Sequence, residues 1–245
     1  MRTSIPATKL KYLERLRDYP ASHNDHLFQI STRAHPIPRF LDKYPKQVSD
    51  FAAKEFETVS QCPLMGSIAD ASLLIWKWEA TADSDFVCLF ILGDEYVMVD
   101  PYWAQYYQFL KLDRPSGQLE LTFNINHVPA YSIEREVVFL GGHQTYGHWI
   151  ADIFPLALHI VQNLAKCESP FLTFNARSWQ VDIIRGMLPM ASLLNIDFAA
   201  LPAGPVRFFI KRLWIADRID IANRYFVFHQ YLDKYRVSEA ISMRN

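Results

Sequence analysis

Cysteine, glycine and any excess of one charge are all scarce in this 245-residue chain, and each scarcity excludes a class of protein. Three cysteines, Cys62, Cys88 and Cys167, are too few and too scattered for a disulfide framework, and no C-x-x-C pair offers a zinc site. They read as buried thiols of a reducing compartment. The eight glycines form no G-x-G-x-x-G, Walker, G-x-S-x-G or kinase pattern, which disfavours dehydrogenases, NTPases, hydrolases and kinases. With 25 Lys and Arg against 26 Asp and Glu, nothing pulls the chain toward nucleic acid. The richest apolar stretch, Ile150 to Leu164, is broken by Asp152, Pro155, His159, Gln162 and Asn163, too often for a membrane span. The first twenty residues are polar and basic and lack the apolar core of a secretory signal. The expectation is a cytoplasmic protein, at most peripheral to an inner membrane, with no membrane span and no nucleic-acid partner.

What the chain does have is core-forming material: half its residues are hydrophobic, and 14 prolines mark stiff connections. Residues 1–70 read as an irregular lead-in. Within it, Leu10, Leu13 and Leu16 at helical spacing predict a helix over Lys9 to Tyr19, and a second short helix is expected over Val48 to Phe56. From Ala71 onward the texture is that of strands. Phe86 to Val99 predicts a hairpin turning at Gly93-Asp94, while Leu119 to Val128 and Glu134 to Leu140 predict further strands.

After Gly142 the pattern alternates. Helices are expected over Gly147 to Leu164, Ser178 to Leu188 (with Ser178 as N-cap) and Ile219 to Ser242. Strands are expected at Phe171 to Phe174, Ile196 to Leu201 and Phe208 to Ala216. Such alternation implies βαβ units on a parallel sheet, so the fold class read from the sequence is α/β. The expected domain, 71–245, divides into a β-rich portion at 71–130, a βαβ portion at 131–218 and a C-terminal helix at 219–245. From Ala203 onward eight Lys or Arg face four Asp or Glu, which suits a solvated helix face.

One segment concentrates polar chemistry: VVFLGGHQTYGHWIADIFPLALHI, Val137 to Ile160. It runs from a strand through a glycine-flanked turn into a helix. That places His143 to His148 outside a strand's carboxyl end, where open sheets bind ligands. His148 and Asp152 stand four apart and so share a helix face. Either residue type can act as general base for a hydroxyl nucleophile. The same pair also suits a purely local capping role. His143, His148 and Asp152 are all metal-ligand types, but their spacing matches no established metal pattern, and none is assigned. Pro155 lacks the N–H that would bond Ala151, so the helix must start late or bend there.

The stretch GHWIADIFP resembles the signature of family-61 glycosyltransferases, with His148, Trp149, Asp152 and Pro155 at the matching positions. EYVMVDP before it and the pattern up to FFIKRLWIAD after it sit where that family has similar segments, so the resemblance covers roughly Ala71 to Ala216. It implies the acceptor-side half of an inverting, nucleotide-sugar-dependent transferase of capsular or surface polysaccharide biosynthesis. The half would be GT-B-like and Rossmann-type.

Carried over, Asp152 and His148 become catalytic, with Asp152 the first choice for the base. His143, Gln144, Tyr146 and Trp149 become substrate-binding residues. The implied partners are a saccharide acceptor and a nucleotide sugar as substrate, with no cofactor and no metal. The pattern departs at Leu156, where family members often carry a basic residue. It departs also in length, since the family's donor-binding half would follow Asn245. That half is expected from a longer chain or a partner subunit. The alternative expectation is a non-catalytic glycan-binding or assembly subunit.

Among other candidates, Tyr102, Trp103, Tyr106 and Tyr107 form an aromatic cluster suited to packing or to sugar stacking. Gly141-Gly142, His159, Asn124, Asn126 and His127 are weaker candidates for the same site.

Overall fold

Strands whose residues are apolar at nearly every position must bury both faces, and this chain has several of them. The computed structural model describes residues 8–13, 16–29, 64–77, 86–98, 110–113, 115–141, 149, 154 and 168–216. Eleven strands run through them: β1 (Thr8–Leu13), β2 (His26–Gln29), β3 (Leu64–Lys77), β4 (Phe86–Leu92), β5 (Tyr96–Met98), β6 (Leu110–Asp113), β7 (Gln118–Leu121), β8 (Ala130–Gly141), β9 (Phe171–Phe174), β10 (Leu193–Ile196) and β11 (Val206–Ala216). One α-helix, α1 (Ser178–Met187), lies in full among the described residues.

All eleven strands belong to one sheet, in the order β10-β9-β8-β11-β3-β4-β5-β1-β7-β6, with β2 paired to the part of β3 that β4 leaves free. Pairing is parallel along β10, β9, β8 and β11 and between β1 and β5, and antiparallel elsewhere.

This corrects the expected α/β, Rossmann-type half of a GT-B fold: the architecture is a large mixed β-sheet with a single α-helix in full among the described residues. The reason lies in β3 and β11, which pair antiparallel from Val206–Ile75 to Ala216–Met65. That ladder joins the β-rich portion and the parallel portion into one sheet.

The expected helix over Lys9 to Tyr19 is instead β1 followed by a 3-10 turn at Leu16–Asp18. Strand β1 lies between β5 and β7, with Leu10 packing into one core and Leu13, on the opposite face, into the other, while Lys9 and Lys11 stay exposed. Apolar residues three apart therefore mimic a helical stripe. The expected strand over Leu119 to Val128 stops at Leu121, where Asn124 caps a 3-10 turn at Ile125–His127. The expected strand over Ile196 to Leu201 is β10 ending at Ile196, then a 3-10 turn capped by Asp197.

Helix α1 begins where expected, but Arg177 is its N-cap, its backbone N–H donating to Gln180 Oε1 at 2.7 Å. The predicted helices at Val48 to Phe56 and Ile219 to Ser242 lie outside the described residues, as do Cys62 and Cys167. Cys88 packs against the core from β4, and burial pushes its thiol pKa upward.

Two apolar clusters sandwich the sheet. One holds Leu73, Ile75, Phe139, Leu172, Phe174 and Phe208, and the other holds Leu10, Leu74, Trp76, Leu89, Ile91 and Leu119. No helix of the described residues is long and apolar enough to cross a membrane.

Candidate functional site

The sequence-predicted site begins where β8 ends, at Gly141. Here β8 has parallel partners on both sides: β9, its sequence successor, on one edge and β11 on the other. Val138 stands opposite Trp214 on β11 and Phe171 on β9, so three parallel strands run side by side toward this carboxyl end.

Of the residues singled out in the sequence, His143, Gln144, Tyr146, His148, Asp152 and His159 lie outside the described residues, as do the aromatics at 102–107. Trp149 is described, and its side chain is 2% exposed. It stacks on Phe154, ring centroids 5.3 Å apart and planes 21° apart, and meets Trp179 of α1 edge-on at 5.2 Å. This burial makes Trp149 an anchor for its segment. Its backbone is π-helical, and Phe154, five residues on, is in α-helical backbone. π-Helical backbone is rare and concentrates at functional sites.

A second feature, which sequence reasoning missed, interrupts the middle of the sheet. On the face that packs into the Phe139–Phe174 core, β11 contributes Val206, Phe208 and Ile210, then Leu213 and Ile215; β3 contributes Ile75, Leu73 and Ala71, then Ile68. The alternation slips by one residue on both strands at the rung of Lys211 and Asp70. Strand β8 slips beside them, since Ile133 faces Ile210 but Glu136 faces Arg212. Two residues of β8, Glu134 and Arg135, thus span one of β11, as in a β-bulge. Asp70 adopts a left-handed backbone with φ +50°, costly for any residue with a Cβ.

The slip opens a hollow of about 380 Å³ lined by Asp70, Ala71, Glu134, Phe209, Ile210 and Lys211. Ala71 and Ile210 form its buried floor, and Phe209 remains 43% exposed. Among the described residues, the charged side chains of Asp70, Glu134 and Lys211 make no hydrogen bond or ion pair. Glu136 and Arg212, nearby on β8 and β11, are committed. Glu136 accepts from Ser169 Oγ at 2.9 Å and from the Trp214 indole N–H. Arg212 Nη1 donates to Ser67 Oγ at 2.9 Å and to the Asn24 carbonyl at 3.1 Å.

Behind the hollow, Arg207 is buried on the same strand as Phe209. Its Nε donates to Ser72 Oγ at 3.0 Å, its Nη1 to Asn126 Oδ1 at 3.5 Å, and its guanidinium lies 4.3 Å from the Phe209 ring centroid. Burial lowers its pKa and the nearby charge of Asp94 partly opposes this, yet an arginine stays protonated throughout the working range. Asn124 and Asn126 are therefore structural: the first caps a turn and the second holds Arg207.

One signal for the hollow was present in FFIKRLWIA, where the apolar spacing breaks from two to three at Lys211 and Arg212. Comparison of this chain with protein-family models, with curated proteins and with solved structures finds no match to any of them.

Proposed function

We propose that this chain transfers a sugar from a nucleotide-sugar donor to a saccharide acceptor of a surface or capsular polysaccharide. The observation that carries the reading is the buried Trp149 with its π-helical backbone, inside the sequence His148-Trp149-Ile150-Ala151-Asp152. A buried tryptophan locked between Phe154 and Trp179 is what a polar pair on either side of it would need for a fixed position. The segment follows β8 in the sequence, and β8 itself pairs parallel with β9 and β11.

In this reading Asp152 takes the proton of the acceptor hydroxyl, and His148 supports the same hydroxyl. The oxygen attacks the anomeric carbon as the bond to the nucleoside diphosphate breaks. The configuration at that carbon inverts, and the diphosphate leaves with the bonding electron pair. The donor is a substrate, bound with the help of a donor-binding unit in a longer chain or a partner subunit. His143, Gln144 and Tyr146 contact the substrates.

Incubation with a panel of UDP-, GDP- and dTDP-sugars plus oligosaccharide acceptors, read as nucleoside diphosphate release, tests the reading. Release by the wild type and loss of about a hundredfold or more in Asp152→Asn support it, the scale of losing one general base. Equal release by the variant contradicts it. A second reading, saccharide binding without turnover, is favoured by the hollow alone. It predicts binding with no release from any donor.

A further inference from the structure

We infer that the hollow at the strand slip is a second saccharide subsite, one that holds a neutral pyranose unit of the acceptor chain away from its reacting end. The inference rests on the sugar-transfer reading for the identity of the ligand, and on the hollow's own chemistry for the rest.

Its volume, about 380 Å³, lies at the lower end of small-molecule sites, which span about 300–1,000 Å³. Its apolar element is the Phe209 ring, 43% exposed in the middle of a long central strand. Arg207 braces that ring from within the protein, 4.3 Å from its centroid and itself held by Ser72. A braced aromatic ring offers a flat surface to the C–H face of a sugar.

Around the ring stand Asp70, Glu134 and Lys211, which leave one another unpaired. Carboxylates accept and an ammonium donates, so together they satisfy hydroxyls that do both. Two carboxylates against one ammonium disfavour an acidic sugar. The lining residues sit on β3, β8 and β11, so the subsite is built on the sheet and not on loops. From Glu134 to the end of β8 at Gly141 is seven residues, roughly 23 Å at about 3.3 Å per residue. An acceptor occupying both places must therefore be a chain of several sugars.

The test is isothermal titration of the full chain with maltotetraose, cellotetraose, chitotetraose and tetragalacturonate. The expected result is binding of at least one neutral tetrasaccharide, weakened about tenfold in Phe209→Ala, the scale of one lost stacking contact. Tetragalacturonate binds at least about tenfold more weakly than the best neutral probe. No binding of any neutral probe, preference for the acidic one, or unchanged affinity in Phe209→Ala overturns the inference. Thermal melts check that Phe209→Ala stays folded. Should it unfold, Lys211→Gln replaces it, and unchanged affinity there is the overturning result. Diphosphate release is read separately. Unaltered release in Asp152→Asn with weakened binding in Phe209→Ala removes the transfer reading and keeps the subsite; the opposite pair of results keeps transfer and removes the subsite.

Discussion

Asp25 Oδ1 accepts the backbone N–H of Ala69 at 2.8 Å, one residue before the left-handed turn of Asp70. The same carboxylate takes the Ser22 N–H at 2.8 Å and the Tyr19 hydroxyl at 3.2 Å. The N-terminal segment is thereby tied to the central strand where that strand slips. Burial raises the Asp25 pKa, but the hydrogen bonds from Ala69, Ser22 and Tyr19 outweigh it, and the net shift is downward.

Asp25→Ala removes the acceptor for these three donors and is expected to destabilise the fold by about 2–4 kcal/mol in urea denaturation. The pH dependence follows from the sign of the shift. A depressed folded-state pKa means that the unfolded chain binds the proton first as pH falls. The stabilisation is present above the unfolded value, about 3.9, and is lost as pH drops through the lower folded value. Asp25→Asn carries no such proton, so its acid limb below about pH 4 is shallower than that of the wild type. Equal acid limbs contradict the assignment.

Tyr19 shifts in the opposite sense, to about 12, chiefly through burial and then through the Asp25 charge. A raised pKa stabilises the fold below the unfolded value of about 10 and ceases to do so as pH rises through the folded value. Ultraviolet titration of the wild type against Tyr19→Phe is expected to show one tyrosine fewer ionising near pH 12 in the variant. The same tyrosine ionising near 10 would count against the burial of this pair.

Gly66 lies under Leu16 and Leu27, whose Cδ2 atoms would each stand 2.8 Å from an added Cβ. Leu16 is fully buried, so it has little room to withdraw. Gly66→Ala is expected to cost about 1–3 kcal/mol, the range of overpacking in a filled core. A neutral effect on the denaturation midpoint would mean that the lead-in is loosely seated on β3.

Asp70 spends backbone energy in its left-handed conformation. Asp70→Gly relieves it and is expected to be neutral or to stabilise by up to about 1 kcal/mol, while weakening saccharide binding. Loss of stability in the glycine variant would show that the carboxylate has a structural role at the slip.

How much of this was legible in the chain varies with the physics of each element. The hairpin at Phe86 to Met98 was readable because its turn demands φ > 0, and Gly93 supplies it at +59°. Phe171–Phe174 and the start of α1 were readable as a short, mostly apolar run and a periodic one. The Lys9 to Tyr19 helix was misread because β1 buries Leu10 and Leu13 on opposite faces, which imitates a helix. The fold class was misread because the alternation after Gly142 reads as a separate α/β unit, whereas the β3–β11 ladder pairs segments some 140 residues apart, and no local pattern announces that. For the site, the polar cluster after Gly141 was visible as composition. The hollow was visible only as a broken alternation at Lys211, and its other walls, Asp70 and Glu134, come from distant strands.

Trp149→Ala removes a fully packed indole and is expected to cost about 3–5 kcal/mol, with Trp149→Phe milder at about 1–2 kcal/mol. If Trp149 positions its neighbours, Trp149→Phe lowers the rate of transfer at saturating acceptor by more than its unfolded fraction explains. A rate that tracks only the folded fraction would make the residue structural alone.

The decisive measurement is nucleoside diphosphate release from a nucleotide-sugar panel by the wild type and by Asp152→Asn, with saccharide acceptor present. Sugar transfer through Asp152 predicts release by the wild type and a drop of about a hundredfold or more in the variant, with the thermal melt unchanged. Release at the wild-type rate by folded Asp152→Asn would contradict it.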